Sequence, residues 1–331
     1  MNIRKMNSAR FLTAALVAAA LVGASPRPAA AETTKLVYAL PTTAPAVIPY
    51  VALDKGLFGK EGLEVEGRMF PSGREALQSL LAKHAQLQTV SETPVVHAIL
   101  QGNDIVTVAT VARHIEAKLI ARPSRGIRSP ADIRAKRVAT LPGTNSDYFM
   151  YRFFDHYGIP LGDVKIANMS PPDMVVAYAR GEIDAYFAWE PHIYYGKKQV
   201  PDDSVVFYPG QLYQGRTTVN MNRDYVRQNP EIVRKVIRAL LAAEDFVRWH
   251  PEEALEVASK RLKMEPSVYK ELWPEQVMKV ELDEGFLRLL EGVGRWAAEK
   301  SGRTEPMPDF RDRIYTEALV KERPWAVEIE K

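Results

Sequence analysis

Short strand patterns alternate with helical patterns between residues 35 and 112. Leu63, Val65 and Met69 alternate with charged residues, which is typical of a half-buried strand. Ser72 and Glu75, three residues apart, form a capping box ahead of a helix. Further strands are expected over residues 35–40, 87–90 and 105–112. This alternation predicts an α/β fold with mostly parallel sheets flanked by helices.

Two stretches interrupt the alternation. Residues 122–128 contain Pro123, Ser124 and Gly126, and residues 208–216 are rich in Gly, Gln and Tyr. We expect the chain to cross between two lobes at 122–128 and again between Gly215 and Asn222. The predicted lobes are residues 32–122 with 219–331, and residues 123–218. From residue 229 onward the pattern is almost wholly helical, and these helices are expected to pack onto the first lobe.

The first 31 residues have the pattern of a secretory signal peptide. A basic start is followed by an apolar or small run from Phe11 to Gly23, and by three alanines that end at Ala31. The apolar run is too short for a membrane span, which needs about 20 residues. We therefore expect cleavage near Ala31 and export to the periplasm.

Charge and cysteine content exclude several classes of function. The leader contains four basic residues and no acidic one, so its removal lowers the formal net charge from +3 to −1. A global attraction to nucleic acid or membranes then loses its support. The absence of cysteine excludes a disulfide scaffold, a thiol nucleophile and the acylated cysteine of a lipoprotein. No common catalytic motif is present and the six histidines are scattered, so we expect no enzyme, no metal and no cofactor.

The richest candidate site lies between residues 137 and 191. A strand is followed by the turn Gly143-Thr144-Asn145-Ser146 and a helix, and a later strand ends in Trp189-Glu190. A hydroxyl-rich turn at a helix start offers donors to an anion or another acceptor-rich group, although such residues also cap their own helix. Trp189 and Glu190 could form the opposite wall. Alternatively, Trp189 packs in the core and Glu190 is a solvated carboxylate at the strand end. This arrangement indicates a binding cleft.

Three further groups follow predicted strands, where ligands bind in open α/β sheets. The pair Thr42 and Thr43 follows the first strand, and Ser91, Glu92 and Thr93 precede a helix that we expect Thr93 to cap, with Pro94 at its first position.

Arg113 and His114 follow another strand and could clamp an anion, since a guanidinium matches the geometry of a sulfonate or carboxylate. A surface ion pair between Arg113 and Glu116 accounts for these residues almost as well as an anion clamp does.

Several motifs together resemble a known family. They are GLFGKEGLEVE at 56–66, TVSETP at 89–94, SPADIRAKRVATLPGTNSDYF at 129–149, GIPLGDV at 158–164 and GEIDAYFAWEP at 181–191. In order and spacing the chain is similar to the nitrate, sulfonate and taurine type of ABC-importer substrate-binding proteins, whose relatives include binders of thiamine-pyrimidine precursors. Two features depart from that pattern: Lys83 and Gln86 replace a common Gly and Asp, and Asp147 lies where a carboxylate would compete with an anionic ligand.

The resemblance implies a two-lobed periplasmic-binding-protein fold of type II with two interlobe crossings. It implies capture of a small polar organic anion by lobe closure, and delivery to an inner-membrane permease and its ATPase by a monomeric protein. Binding of a thiamine-pyrimidine-like precursor, a pyrimidine-synthase-like enzyme and a ligand-sensing subunit remain as alternatives on the same fold.

Overall fold

The computed structural model describes Met1 and residues 33–329 of the 331-residue chain. The expected signal peptide and its cleavage point lie outside these residues. In the part of the chain that is described, no helix combines the length and the apolar character needed to cross a bilayer.

Eleven strands and thirteen α-helices are assigned in the described range. The strands are β1 (Thr34–Pro41), β2 (Leu63–Phe70), β3 (Leu87–Ser91), β4 (Ile105–His114), β5 (Lys118–Ala121), β6 (Arg137–Thr140), β7 (Lys165–Asn168), β8 (Ala185–Ala188), β9 (Val205–Phe207), β10 (Gly215–Asn222) and β11 (Gln276–Glu281). The helices are α1 (Val47–Asp54), α2 (Leu57–Lys60), α3 (Gly73–Leu81), α4 (Glu92–Leu100), α5 (Asn145–His156), α6 (Pro171–Arg180), α7 (His192–Gln199), α8 (Arg223–Gln228), α9 (Pro230–Trp249), α10 (Pro251–Leu262), α11 (Pro266–Leu272), α12 (Glu284–Ser301) and α13 (Glu317–Glu322).

The strands form two mixed sheets. The first sheet has the order β11-β4-β10-β3-β1-β2, and the second has the order β7-β6-β8-β5-β9. Parallel pairing surrounds β1 and β6, as the strand–helix alternation predicted. The antiparallel pairings between named strands all include β4, β5 or β10, so the antiparallel share is larger than the sequence suggested. These three strands flank the segments through which the chain changes sheet.

The change of sheet occurs at residues 115–117 and 208–214, earlier than the expected segments. Strand β5 pairs with β8 and β9 of the second sheet, and Gly215–Asn222 is strand β10 of the first sheet. The first passage runs through Ile115, Glu116 and Ala117, which include no Gly or Pro to mark it in the sequence. The lobe boundaries themselves stay a prediction.

The C-terminal helices pack against elements that cover the first sheet, as predicted. Helix α9 contacts α1, β4 and β11, and α12 contacts α4. Buried apolar residues recur at helical spacing along α9, including Val233, Val236, Ile237 and Leu240. Helix α4 in turn contacts β3, β4 and β10 of the first sheet.

Candidate functional site

One cavity brings together residues that follow strands of both sheets. The first-sheet side contributes residues at or after the ends of β1, β2, β3 and β4, and the second-sheet side contributes residues after β6 and β8. The cavity has an internal volume of about 20 Å³, enough for about one water molecule and well below the roughly 300 Å³ at which small-molecule pockets begin. Its lining consists of Pro41, Thr43, Gly73, Arg74, Val90, Ser91, Pro94, Glu116, Thr144, Asn145 and Trp189.

Two parts of this lining differ in exposure. We call Thr43, Glu116, Asn145 and Trp189 the buried wall, since all four are buried. Gly73, Arg74 and Ser91 are half-buried or exposed, and we call them the rim. A larger open cavity, of about 580 Å³, is lined by Val106, Arg223 and Tyr315 among others and includes none of the predicted site residues.

Three helices begin at the cavity. Gly73 is the first residue of α3, Ser91 is the N-cap of α4, and Thr144 is the N-cap of α5. Neither Ser91 nor Thr144 makes a side-chain capping bond, so the first-turn N–H groups of α4 and α5 receive no such acceptor from these residues. Helix starts carry a partial positive charge that attracts anions. The helix expected to start at Pro94 under a Thr93 cap instead begins at Glu92, because Ser91 takes the N-cap position.

Arg74 adds a full positive charge at the rim. It carries the only cationic side chain among the described residues that line the cavity. One guanidinium nitrogen donates to the carbonyl oxygen of Pro142 at 2.9 Å, which links α3 to the loop before α5. The helix starts and Arg74 therefore make this part of the lining attractive to an anion.

The carboxylate of Asp147, expected to oppose an anion, is neutralised by two contacts. Lys300 of α12 lies 2.6 Å from one of its oxygens, and the Gly143 backbone N–H donates to it at 2.8 Å. Gly143 has a φ of +73°, a conformation that glycine adopts without strain, and this lets the turn fold back onto Asp147. The side chain of Asp147 is buried and does not line the cavity.

Glu116 is the acidic member of the buried wall. Its two oxygens accept hydrogen bonds from the Thr43 hydroxyl at 2.8 Å and from the Asn145 amide at 3.3 Å. One donor therefore follows a strand of the first sheet and the other follows a strand of the second. Burial raises the pKa of Glu116 to about 8, and the nearby carboxyl groups of Glu190 and Glu92 push it in the same direction.

His114 lies behind Glu116. Its Nδ1 is 3.7 Å from a Glu116 oxygen, and neither ring nitrogen has a hydrogen-bond partner among the described residues. Burial lowers the pKa of His114 to about 3, with Arg216 adding to the shift, so the ring is neutral at pH 7. His114 therefore supplies no positive charge to the cavity.

Arg113 points away from the cavity because successive residues of a strand face opposite sides of a sheet. Its guanidinium pairs with Glu281 of β11 at 3.0 Å. The alternative pair between Arg113 and Glu116 is therefore not formed, and the cation at the cavity is Arg74. Arg113 and His114 are not brought together as a clamp.

Trp189 and Glu190, which follow the end of β8, also have different surroundings. Trp189 lines the cavity, whereas Glu190 accepts from Lys118 at 3.1 Å and from the Tyr194 backbone N–H at 3.0 Å. Lys118 is itself buried and also contacts Glu275 at 2.8 Å. Glu190 therefore belongs to an internal ion-pair group next to the cavity.

The remaining predicted residues lie close to the lining without being part of it. Glu92 accepts from Tyr213, from Thr93 at 2.8 Å and from the Arg216 backbone N–H at 2.9 Å, and burial raises its pKa. Thr42 donates its backbone N–H to Phe70, and Ser146 is fully buried. Of the predicted set, the cavity collects Thr43, Ser91, Thr144, Asn145 and Trp189; a role in ligand contact stays a prediction for each residue of that set.

Sequence reasoning missed Arg74 and Glu116 as site residues. Arg74 follows directly on the Ser72 cap, whose hydroxyl accepts from the Glu75 N–H as predicted. Glu116 is two residues beyond the pair that was singled out, on the passage between the sheets. Position at a strand end was a usable signal for Glu116. Nothing local distinguished Arg74 from other exposed arginines.

Comparison with solved structures gives the fold. The crystal structure of the periplasmic aliphatic sulphonate binding protein from Escherichia coli matches with a TM-score of 0.72 at 20% identity, covering 85% of this chain and 97% of that one. The fold is therefore that of the periplasmic binding proteins.

Sequence comparison gives the family. Residues 45–254 match the family described as NMT1/THI5 like, which is more than half of the chain, so the protein belongs to that family. A Brucella abortus protein named as a binding protein is 27% identical over 258 residues, or 74% of this chain and 79% of its own. The taurine-binding periplasmic protein of Escherichia coli is 27% identical over 201 residues, or 59% of this chain and 61% of its own. The resemblance drawn from the sequence motifs is confirmed.

Proposed function

We propose that this protein is the solute-binding component of an ABC importer and that its cavity captures a small sulfonate-, taurine- or nitrate-like anion. Family membership supports the role, and the names of the relatives support the ligand class. The observation that carries the proposal is the convergence of three helix starts and Arg74 on one small cavity. Such a site favours anions through partial and full positive charge.

Binding is proposed to work by closure of the two sheet-bearing halves, a motion common to periplasmic binding proteins. Two contacts support this: Asn145 donates to Glu116, and Arg74 donates to Pro142, each joining residues beside different sheets. Closure would exclude water and strengthen each polar contact with the ligand. Micromolar affinity requires about 8 kcal/mol in total.

We further propose that the protein is exported to the periplasm, cleaved near Ala31 and free of a lipid anchor. It would act as a monomer that hands its ligand to an inner-membrane permease and its ATPase. No cofactor, metal or nucleic acid enters this scheme, and no catalytic step is assigned to it.

A thiamine-pyrimidine-like precursor is the second candidate ligand. The observation in its favour is the presence of Trp189 and the Glu116 carboxyl in one lining, since an aromatic face and a carboxyl group can bind an aminopyrimidine. Since the cavity has a volume of about 20 Å³, any of these ligands requires the two halves to open, and the smaller sulfonates and nitrate require the smaller opening. A pyrimidine-synthase-like enzyme and a sensor subunit remain the other functional alternatives.

A ligand panel tests the proposal. The mature protein is titrated calorimetrically with taurine, ethanesulfonate, nitrate and an aminopyrimidine, and each compound is also recovered and checked by NMR for turnover. We expect micromolar binding of at least one of the three anions, unchanged after recovery. Binding of the aminopyrimidine alone would favour the second candidate, and conversion of any compound would favour an enzyme. Failure of the whole panel would refute the proposed ligand class.

A further inference from the structure

Glu116 is the one feature of the lining that a simple anion site does not explain. A carboxyl group beside an anion is unfavourable when ionised, yet Glu116 is only 4% exposed and lines the cavity directly. The other charged side chain of the described lining, Arg74, lies at the exposed rim. The cavity therefore has a positive rim and a carboxyl group in its buried wall.

The contacts of Glu116 leave it able to accept more. A carboxylate has about four lone-pair positions, and the recorded side-chain donors, Thr43 and Asn145, use two of them. Trp189 belongs to the same buried wall, and an aromatic face attracts cations. A carboxylate next to an indole is a suitable environment for a protonated amine.

Resting on the anion capture proposed above, we propose that the ligand is a small zwitterion. Its acidic head lies at Arg74 and the helix starts, and its ammonium group binds the Glu116 carboxylate beside Trp189. Glu116 is then the residue that selects amino-substituted anions over plain anions of the same size.

The groups around Glu116 determine how binding depends on pH. Hydrogen bonds come from Thr43 and Asn145, and the ring of His114 is neutral. The titratable groups recorded as interacting with it electrostatically are acidic. The cations of this region are Lys118, paired with Glu190, Arg216, paired with Asp283, and Arg74 at the rim of the same cavity. Those acidic groups are Glu92, Glu190, Tyr50, Tyr213 and Tyr269.

Since burial raises the pKa of Glu116 to about 8, the carboxyl is mostly protonated at pH 7 before the ligand binds. An ammonium group favours the ionised form, so binding of a zwitterion releases a proton and tightens as the pH rises towards 8. A plain anion favours the protonated form, so its affinity falls over the same range. The two ligand types thus have pH dependences of opposite sign.

The experiment compares taurine with 2-hydroxyethanesulfonate, which replaces the amine by a hydroxyl group. Dissociation constants are measured by calorimetry at pH 6, 7 and 8, in two buffers that differ in ionisation enthalpy. At pH 8 we expect taurine to bind at least about tenfold more tightly than 2-hydroxyethanesulfonate. The affinity for taurine should rise by up to about tenfold per pH unit between pH 6 and 8, and its binding should release a proton.

Glu116→Gln keeps an acceptor for Thr43 or Asn145 and removes the titration. We expect it to lose the preference for taurine and to flatten its pH dependence, while 2-hydroxyethanesulfonate still binds. Glu281→Gln is the matched control, since Glu281 is equally buried, at 4% exposure, and lies outside the lining. It should retain both the preference and the pH dependence.

Each other outcome overturns the inference. Equal binding of the two sulfonates would refute the zwitterion while leaving anion capture intact. A taurine preference that survives in Glu116→Gln would refute the role of Glu116. If neither of these two sulfonates binds but nitrate or ethanesulfonate does, the zwitterion proposal is refuted and anion capture is not. If no anion binds, both proposals are refuted.

Discussion

The rim of the cavity carries a permanent positive charge, whereas the buried wall contains a carboxyl group that titrates, and the two groups are held in different ways. At the rim, Arg74 is exposed and has a single recorded hydrogen bond, to a backbone carbonyl. In the wall, Glu116 is buried between two side-chain donors that come from opposite sides of the cavity. An exposed charge is well solvated and contributes little to stability, whereas a buried one affects stability and protonation together. The rim should therefore influence affinity, and the wall should influence affinity, stability and pH dependence.

The strongest test of this contrast is Trp189→Ala. Removing a large aromatic side chain that is 4% exposed should lower the free energy of unfolding by about 3–5 kcal/mol and weaken ligand binding. Urea denaturation measures the loss. Trp249→Ala is the control, because Trp249 is 73% exposed and its removal should have a small effect. Equal stability of the two variants would show that Trp189 is not a packed part of the wall.

The second test concerns pH and stability without ligand. The folded-state pKa of Glu116 is about 8 against an ordinary value of 4.5, so the folded protein binds more protons than the unfolded chain between these values. The free energy of unfolding should therefore fall as pH rises from 5 to 8, by at most about 1.4 kcal/mol per unit, and level off above. Glu116→Gln removes this contribution. Parallel stability profiles of the two proteins in urea melts at pH 5, 6, 7 and 8 would contradict the assignment.

At the rim, Arg74→Gln should weaken anion binding about tenfold at low salt, because a charge-assisted contact with the ligand is lost. The unfolding free energy should change by no more than about 0.5 kcal/mol, as for most surface substitutions. Calorimetric titration at two salt concentrations checks this, since added salt should narrow the difference from the wild type. Arg68→Gln, on the exposed part of β2, should bind as the wild type does. An Arg74→Gln protein of unchanged affinity would remove the rim from the binding site.

The smallest effect is expected for Lys300→Met. Without this lysine, the carboxylate of Asp147 in the first turn of α5 is left with the Gly143 N–H as its recorded partner. Its uncompensated charge should weaken anion binding about two- to threefold, the scale of charge effects at helix ends. Lys35→Met, at the exposed edge of β1, controls for loss of one positive charge. A larger effect in Lys35→Met than in Lys300→Met would mean that general charge, and not Asp147, determines the result.

Local signals were enough to locate the second-sheet side of the cavity lining. Thr144 and Asn145 stand at a helix start, and Trp189 follows the end of a strand, features that depend on a few neighbouring residues. The capping role of Ser72 was predictable for the same reason. The alternation of strands and helices fixed the fold class, and the motif order fixed the family.

The rest of the site depends on tertiary structure that the sequence pattern does not contain. Arg74 reaches the cavity only because α3 and the loop before α5 meet there. Arg113 and His114 looked like a pair because they are adjacent, but a strand sends adjacent side chains to opposite faces. The passage between the sheets lacks Gly and Pro, so the breaker residues at 122–128 indicated a loop several positions too late.

The two hydrogen bonds to Glu116 link ligand recognition to ligand release. Its two hydrogen-bond donors follow strands of different sheets, so the carboxyl that would bind the ligand amine also joins the two sides of the cavity. An amine bound to this carboxyl would therefore act on the contact that joins the two sides. One side chain would then affect both ligand preference and ligand release.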